Sequence, residues 1–246
     1  MKGSSGQPVA KQDGSLFGDL SFVITAAHEL KAPLSLVRQL ALSLETVPAD
    51  SSERERMVQQ IILTAERALR LTTDLSRSSR LEDGLFELEP LNPQQLCEEV
   101  AHELTPLYAA KRREIRVRPH RRPLLIVANR ELLRRIILNF ADNALNYTDT
   151  GAAVELRAAA AENGQLVRIG VRDYGPAVPN DIWQRLQKHL GTDTQALHSR
   201  PQSSGLGLYV AGQFAQAMQG RIGATRHRDG ATFYVDMNAS TQLRLL

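Results

Sequence analysis

The sequence contains one cysteine, few aromatic residues and no long apolar run. Aromatic residues make up 5% of the 246 residues. Because Cys97 is the single cysteine, an intrachain disulfide framework and a cysteine-based zinc site are excluded. The longest apolar runs, such as residues 124–128, fall far short of the roughly 20 residues of a membrane-spanning helix. No basic-then-apolar signal peptide opens the sequence. Nothing in these absences conflicts with a reducing cytoplasm.

An excess of one charge sign is also lacking. The chain carries 30 Lys and Arg against 27 Asp and Glu, a net charge of +3, which gives no strong field for binding nucleic acid. Hydrophobic residues make up 42% and charged residues 23%, a composition typical of folded proteins. The length allows two domains. We expect a flexible Gly/Ser-rich leader over 1–15, a helical domain over 16–84 and a mixed domain over 85–240.

Two long helices are predicted in the helical domain. Their apolar positions alternate in steps of four and three residues, the spacing of helices that pack in bundles. Pro48, Asp50 and Ser51 break the pattern between the helices, and Ser51–Ser52 before Glu53–Glu55 is typical of a helix N-cap with acidic first-turn residues. One narrow stripe per helix buries little, so we expect two hairpins to close into a four-helix bundle in a homodimer. The first stripe is Leu16, Leu20, Val23, Ala27, Leu30, Leu34, Val37, Ala41 and Leu44; the second is Val58, Ile62, Ala65, Leu69, Thr72 and then Leu75 or Leu81.

The domain after Gly84 mixes strands with helices. Pro93 suits the first turn of a helix, Asn129 suits the cap of another, and residues 162–164 have the composition of a hairpin turn. Strands in hairpins combined with separate helices predict an α+β sandwich, with three helices on one face of a mixed sheet. Strands are expected near 115–117, 124–127, 154–158, 166–171, 221–225 and 232–237, with further helices from 180 and over 205–218.

The segment AAHELKAPL places a histidine beside an acid. His28 follows the stripe position Ala27 by one residue, so on an α-helix it points about 100° out of the stripe. A solvent-facing imidazole can act as a nucleophile if a neighbouring carboxylate, here Glu29, accepts the proton from its other ring nitrogen. A surface histidine without a chemical role is the alternative interpretation.

The segment NFADNALNYT places amide side chains on one helix face. Asn139 and Asn143 are one helical turn apart. Their two carbonyl oxygens could complete the octahedron of a magnesium ion that takes its other ligands from phosphates and water. Helix caps or ordinary surface residues are the alternative.

Two glycine-containing segments follow, VRDYGPAVP and SSGLGLYV. Asp173 is expected to end a strand, where its carboxylate could accept a hydrogen bond from the amine of adenine; a simple Asp-x-Gly turn at Gly175 is the alternative. Gly205 and Gly207 open a predicted helix, whose N–H groups and positive dipole end favour phosphate oxygens.

Taken in order, these segments resemble the catalytic core of a bacterial two-component sensor histidine kinase. The H-box of that family resembles HELKAPL, the N-box resembles NFADNALNYT, and the two glycine boxes resemble DYGPA and GLGL. The resemblance extends from about Leu16 to Met237. It implies a helical hairpin that forms a dimeric four-helix bundle, followed by an α/β sandwich of the Bergerat ATP-binding type.

The resemblance also implies an activity. His28 would be phosphorylated by ATP bound with Mg²⁺, Glu29 would accept the proton, and the phosphoryl group would pass to an aspartate of a response regulator. The chain would be cytoplasmic, or the cytoplasmic part of a membrane-bound sensor. Asn139 and Asn143 would hold magnesium, Tyr147 would stack on adenine, Asp173 would bind its amino group, and Gly175, Gly205 and Gly207 would shape the pocket.

Some positions depart from the family pattern. Ala32 stands where Thr or Asn is usual and has no group to orient water, so weak or absent phosphatase activity toward the regulator is expected. Asn146 stands where a basic, phosphate-contacting residue is common, and Arg200, just before the second glycine box, is the candidate for the missing charge. Ala177 replaces the usual second glycine of the first box.

Two other functions stay open. A GHKL-type ATPase of the gyrase or chaperone kind would hydrolyse ATP to drive conformational change, but such enzymes place a water-activating Glu where this chain has Asn139, and they lack the hairpin with His28. A catalytically silent dimeric scaffold would keep the fold for partner binding, and the uncharged Asn146 is compatible with it.

Overall fold

The computed structural model describes residues 20–80, 86–120, 124–148, 151–191 and 206–240. The expected leader, Arg200 and Gly205 lie outside these ranges. The described chain begins with two long helices and continues as a sheet with helices packed on it. Within these ranges, no helix has the length and apolar character needed to cross a membrane.

Helices α1 (Leu20–Ser43) and α2 (Ser52–Arg80) pack together as a hairpin. The Ser51 hydroxyl accepts a hydrogen bond from the backbone N–H of Arg54 at 3.2 Å, which satisfies a donor of the first turn of α2. Glu53 and Glu55 also lie in that turn, where their charge favours the helix dipole. The predicted cap is confirmed.

The hairpin leaves much of the two predicted stripes uncovered. On α1, Leu34 is 57% exposed, and on α2, Ile62 is 44% and Leu69 is 67% exposed. The buried positions of these helices include Ala26 and Ala68, which belong to neither stripe. The apolar surface of the two helices is therefore wider than one heptad stripe. These positions outside the stripes are covered within the chain, whereas several stripe positions stay exposed.

Five strands form the main sheet, in the order β2-β4-β5-β7-β6. Strands β2 and β4 are parallel, and the other neighbours in this sheet are antiparallel, so the predicted mixed sheet is confirmed. The strand expected over 124–127 is β3, which pairs with β1 in a separate two-stranded sheet. The bounds are β1 Glu89–Leu91, β2 Glu114–Arg118, β3 Ile126–Ala128, β4 Ala153–Ala161, β5 Leu166–Arg172, β6 Arg221–His227 and β7 Gly230–Asn238.

Alternation along the strands separates an apolar face of the sheet from a polar face. Leu156 of β4, Ile169 of β5 and Val235 of β7 are buried on the apolar face. Three helices pack there, as predicted: α3 (Pro93–Ala110), α4 (Arg130–Tyr147) and α6 (Leu206–Ala217). A shorter helix, α5 (Asn180–His189), lies beside β6.

Local sequence signals set the ends of these elements. The Oδ1 of Asn92 accepts from the backbone N–H of Gln94 at 3.0 Å at the start of α3. The Oδ1 of Asn129 accepts from the N–H of Leu132, also at 3.0 Å, at the start of α4. Residues 162–164, between β4 and β5, all have positive φ, from 46° to 84°, as a tight hairpin connection requires. The Asn129 cap, the turn and Pro93 in the first turn of α3 agree with the sequence predictions, whereas the Asn92 cap was not predicted.

Candidate functional site

A cavity of about 980 Å³ lies between the helical hairpin and the sandwich. Residues of α1 and α2 form one wall, and residues of α3, α4, α5 and α6 form the other. Small-molecule sites commonly enclose about 300–1,000 Å³. The cavity therefore has room for a ligand of nucleotide size.

Helix α4 presents a row of amide side chains to this cavity. Asn139, Asn143 and Asn146 all line it, because steps of four and three residues keep side chains on one helix face. Other residues of α4, including Ile136 and Phe140, are buried in the core. The core packing of α4 thus fixes the direction in which the amides point.

Tyr108 of α3 holds α4 in place. Its side chain is fully buried, and its hydroxyl donates a hydrogen bond to the backbone carbonyl of Ala141 at 2.8 Å. Burial, and then the nearby carboxylate of Asp142, raises the pKa of Tyr108 above its usual value. The phenol therefore stays protonated and remains a donor at neutral pH.

Asn139 also joins α4 to the beginning of α6. Its Nδ2 donates to the backbone carbonyl of Gly207 at 3.2 Å, and both residues line the cavity. Gly207 is the second residue of α6, where backbone N–H groups have no partner within the helix. Gly205, the other glycine of this predicted site, lies outside the described residues, as does Arg200.

The turn after β5 packs against the end of α4. A Cβ on Gly175 would stand 1.9 Å from the carbonyl oxygen of Tyr147, so this approach requires glycine. Tyr147 itself lines the cavity. Asp173 is 5% exposed, and its Oδ1 accepts a hydrogen bond from the backbone N–H of Ala231 at 3.0 Å. Asp173 and Gly175 are adjacent to this wall but are not among the residues that line the cavity.

The histidine segment of α1 borders the same cavity from the hairpin side. Glu29, Ala32 and Pro33 line it, and Glu29 is half-buried there. His28 immediately precedes Glu29 in α1, and its side chain lies outside the described part of the structure. A single chain therefore brings the histidine segment and the amide row to opposite walls of one cavity.

Sequence reasoning missed the apolar wall of the cavity. Val178, Ile182 and Leu186 line it, and their spacing of four residues is a signal that could have identified them. Phe233 of β7 also lines it and contacts the ring of Phe140, with centroids 6.1 Å apart. This wall is suited to a flat apolar ligand group.

Sequence reasoning also missed Lys111, which lines the cavity just after α3 ends. Its Nζ lies 3.4 Å from the Oδ1 of Asn146. The basic run KRR over 111–113 was the available signal, but its partner lies on another helix and is distant in sequence.

Comparisons with known proteins identify a family model and relatives that this chain resembles. Residues 128–241 match the family model described as histidine kinase-, DNA gyrase B-, and HSP90-like ATPase. The chain is 31% identical over 217 residues to sensor protein SphS of Synechococcus elongatus, covering 84% of this chain and 51% of that protein. It is 30% identical over 218 residues to sensor protein CutS of Streptomyces coelicolor, covering 85% of this chain and 50% of that protein. The chain spans about half the length of these curated relatives.

Solved structures show the same fold. The chain is similar to full-length ShkA in complex with AMPPNP, with a TM-score of 0.58 and 27% identity over 89% of this chain and 45% of that chain. It is also similar to the histidine kinase AdeS of Acinetobacter baumannii, with a TM-score of 0.58 and 16% identity over 87% of this chain and 98% of that chain. These likenesses confirm the predicted fold class.

Proposed function

We propose, from the premise that this chain carries the catalytic core of a two-component sensor histidine kinase, that it uses ATP to phosphorylate its own His28. The phosphoryl group would then pass to an aspartate of a response regulator. The observation that carries the proposal is the cavity shared by the histidine segment, at Glu29, and the amide row, at Asn139 and Asn143. In this proposal residues 16–84 form the phosphotransfer domain and residues 85–240 bind the nucleotide.

Amide oxygens fit a magnesium ion that keeps phosphate and water ligands. Asn139 and Asn143 would hold it; because the Nδ2 of Asn139 donates to Gly207, its Oδ1 is the atom suited to a cation. Within the described ranges, no three His, Cys, Asp or Glu gather as a metal site, so the amides are the better candidates. When bound, magnesium would neutralise charge on the phosphates during transfer.

The apolar wall suits the adenine ring. Tyr147, Ile182 and Phe233 line the cavity and would contact the faces of the base. Asp173, which lies beside this wall and not in the cavity lining, would accept a hydrogen bond from the adenine amine, with the Ala231 N–H holding its Oδ1 in place. Gly175 supports this arrangement, since it lets the turn that follows Asp173 approach the Tyr147 carbonyl.

The histidine segment would carry out the chemistry. Glu29 would accept a proton from one imidazole nitrogen of His28, while the other nitrogen attacks the γ-phosphorus in line and ADP leaves. Holding both reactants at one cavity makes the step effectively unimolecular. The half-burial of Glu29 at the cavity wall supports this role.

The open stripes of the hairpin support a homodimer. Leu34, Ile62 and Leu69 are exposed apolar residues on α1 and α2, and a second copy of the hairpin would cover them in a four-helix bundle. The receiver domain of a response regulator is the proposed partner for phosphotransfer, as in other two-component systems.

The test is incubation of the purified protein with γ-labelled ATP and magnesium. We expect acid-labile, alkali-stable label on the wild-type protein, no label on His28→Gln, and full label on His102→Gln. The last is a matched control, because His102 is exposed on α3 and does not line the cavity. Steady phosphate release without labelled protein would instead support the hydrolase, and absence of nucleotide binding would support the silent scaffold.

A further inference from the structure

We propose that Lys111 binds the phosphate groups of the nucleotide and supplies the positive charge that Asn146 lacks. The inference rests on the proposed function, because it assigns a residue to the phosphate end of that site. Lys111 lines the cavity together with Asn139 and Asn143. Its ammonium lies 3.4 Å from the Oδ1 of Asn146, so it reaches the last amide of the row on α4.

A short basic turn, residues 111–113, delivers this lysine. The backbone N–H groups of Lys111 and Arg113 both donate to the carbonyl of Tyr108, at 3.1 and 2.9 Å, which ends α3 and reverses the chain. Arg112 adopts the left-handed region with φ 54°. The guanidinium of Arg113 then donates to the carbonyl of Leu145. The basic turn is thus attached to the end of α4, which keeps Lys111 beside Asn146.

Electrostatics favours a cation at this place. The C-terminal end of a helix carries about half a negative charge, and the amides of Asn143 and Asn146 are neutral. A nucleotide bound along this face would bring several negative charges to the negative end of α4. The guanidinium of Arg113 donates to the backbone carbonyl of Leu145 at this helix end and is directed at the backbone. Lys111 faces the cavity, and an ammonium on a flexible stem can follow phosphate oxygens.

Other cations are the competing sources of charge. Arg135 lines the cavity one helical turn before Asn139, at the opposite end of the amide row. Arg200 is the candidate from the sequence and lies outside the described residues. Lys111 is preferred because it contacts the amide of Asn146, the position where the charge is missing.

The test compares calorimetric binding of a non-hydrolysable ATP analogue, ADP and adenosine, all with magnesium, to the full chain. Lys111→Met keeps the length of the side chain and removes the charge. We expect binding of the ATP analogue to weaken on the order of tenfold, as for one lost charge-assisted contact. ADP should lose less, and adenosine should bind unchanged. The effect should shrink as salt concentration rises.

Further variants separate a direct charge effect from a structural one. Asn146→Lys in the Lys111→Met background should restore affinity for the ATP analogue. Arg157→Met is the matched control, since it removes an exposed cation from the polar face of the sheet and should leave all three affinities unchanged. The proposal would be overturned if Lys111→Met weakened the binding of adenosine and of the ATP analogue equally, or if it left the affinity for the ATP analogue unchanged. It would also be overturned if only Arg135→Met or Arg200→Met caused a loss of affinity that depends on the phosphate groups. Absence of nucleotide binding by the wild-type protein would overturn the proposed function itself.

Discussion

Replacing Gly175 by alanine tests how closely the turn after β5 approaches α4. The added Cβ would lie 1.9 Å from the Tyr147 carbonyl oxygen and 2.9 Å from its carbonyl carbon, whereas Cβ contacts below 3.0 Å are essentially never seen. The turn and the end of α4 must therefore separate by about 1 Å, and forced shifts of this kind in a packed region destabilise by about 1–3 kcal/mol. Because Tyr147 lines the cavity, nucleotide affinity should fall as well.

The measurement is urea unfolding of the full chain, combined with binding of an ATP analogue. Gly207→Ala is the matched control for the unfolding measurement alone, because its Cβ would lie 3.8 Å from the nearest Asn139 atoms, an ordinary contact, whereas Gly207 itself lines the cavity. Its position in the first turn of α6 should make it neutral or more stable by up to about 1 kcal/mol. If Gly175→Ala unfolds at the same urea concentration as the wild type and binds nucleotide equally well, the close backbone approach is refuted.

Three further predictions concern a buried hydrogen bond, a buried thiol and the protomer in which phosphorylation occurs. Tyr108→Phe removes the hydrogen bond to Ala141 and should lower the free energy of unfolding by about 1 kcal/mol in urea titrations. Burial raises the pKa of Cys97 to about 12, so iodoacetamide at pH 8 should label it only after unfolding; labelling of the native protein would contradict the buried site. Since one chain lines both cavity walls, phosphorylation should occur within a protomer. In a mixed dimer of His28→Gln with Asn143→Ala, neither protomer has both the histidine and the complete nucleotide site, so no label should be taken up. In a mixed dimer of the wild type with the double variant, the wild-type protomer has both and should be labelled.

The ends of the secondary-structure elements could be predicted because their causes are local. Ser51, Asn92 and Asn129 each accept a backbone N–H two or three residues further along the chain. The side chain, the donor and the bond all lie within one segment of sequence. The same holds for the turn over 162–164, whose positive φ values match its Asn-Gly composition.

The heptad pattern could predict the helices but not the surface that each residue faces. Leu34 and Leu69 satisfy the four-three spacing as well as the other stripe positions do, and within the single chain both are exposed, as positions that a second hairpin would cover are expected to be. A periodic pattern gives the apolar side of one helix, whereas burial depends on the rotation of two helices about their axes. That rotation depends on packing between segments.

Asp236 illustrates a buried charge that alternation alone misplaces. It lies between Val235 and Met237 on β7, and alternation puts it on the polar face, yet it is 2% exposed. The guanidinium of Arg168, 68 residues away, donates to both carboxylate oxygens at 2.7 and 2.8 Å and also stacks 3.6 Å over the ring centroid of Tyr234. These neighbours cover the carboxylate, and the hydrogen bonds to Asp236 raise the pKa of Arg168 above its usual value, which keeps the guanidinium charged.

The candidate site combines both kinds of information. The sequence motif identifies Asn139 and Asn143, because helical spacing alone puts them on one face. The motif also shows that Asn146 carries no charge, but it contains no signal for the compensating group. Lys111 precedes Asn146 by 35 residues, and the 3.4 Å contact between them exists because α3 packs on α4 and the basic turn folds back over the helix end. When a local motif lacks a charge, the compensating cation is therefore expected among residues that packing brings to the same helix face. The affinities of Lys111→Met for the ATP analogue, ADP and adenosine test this expectation.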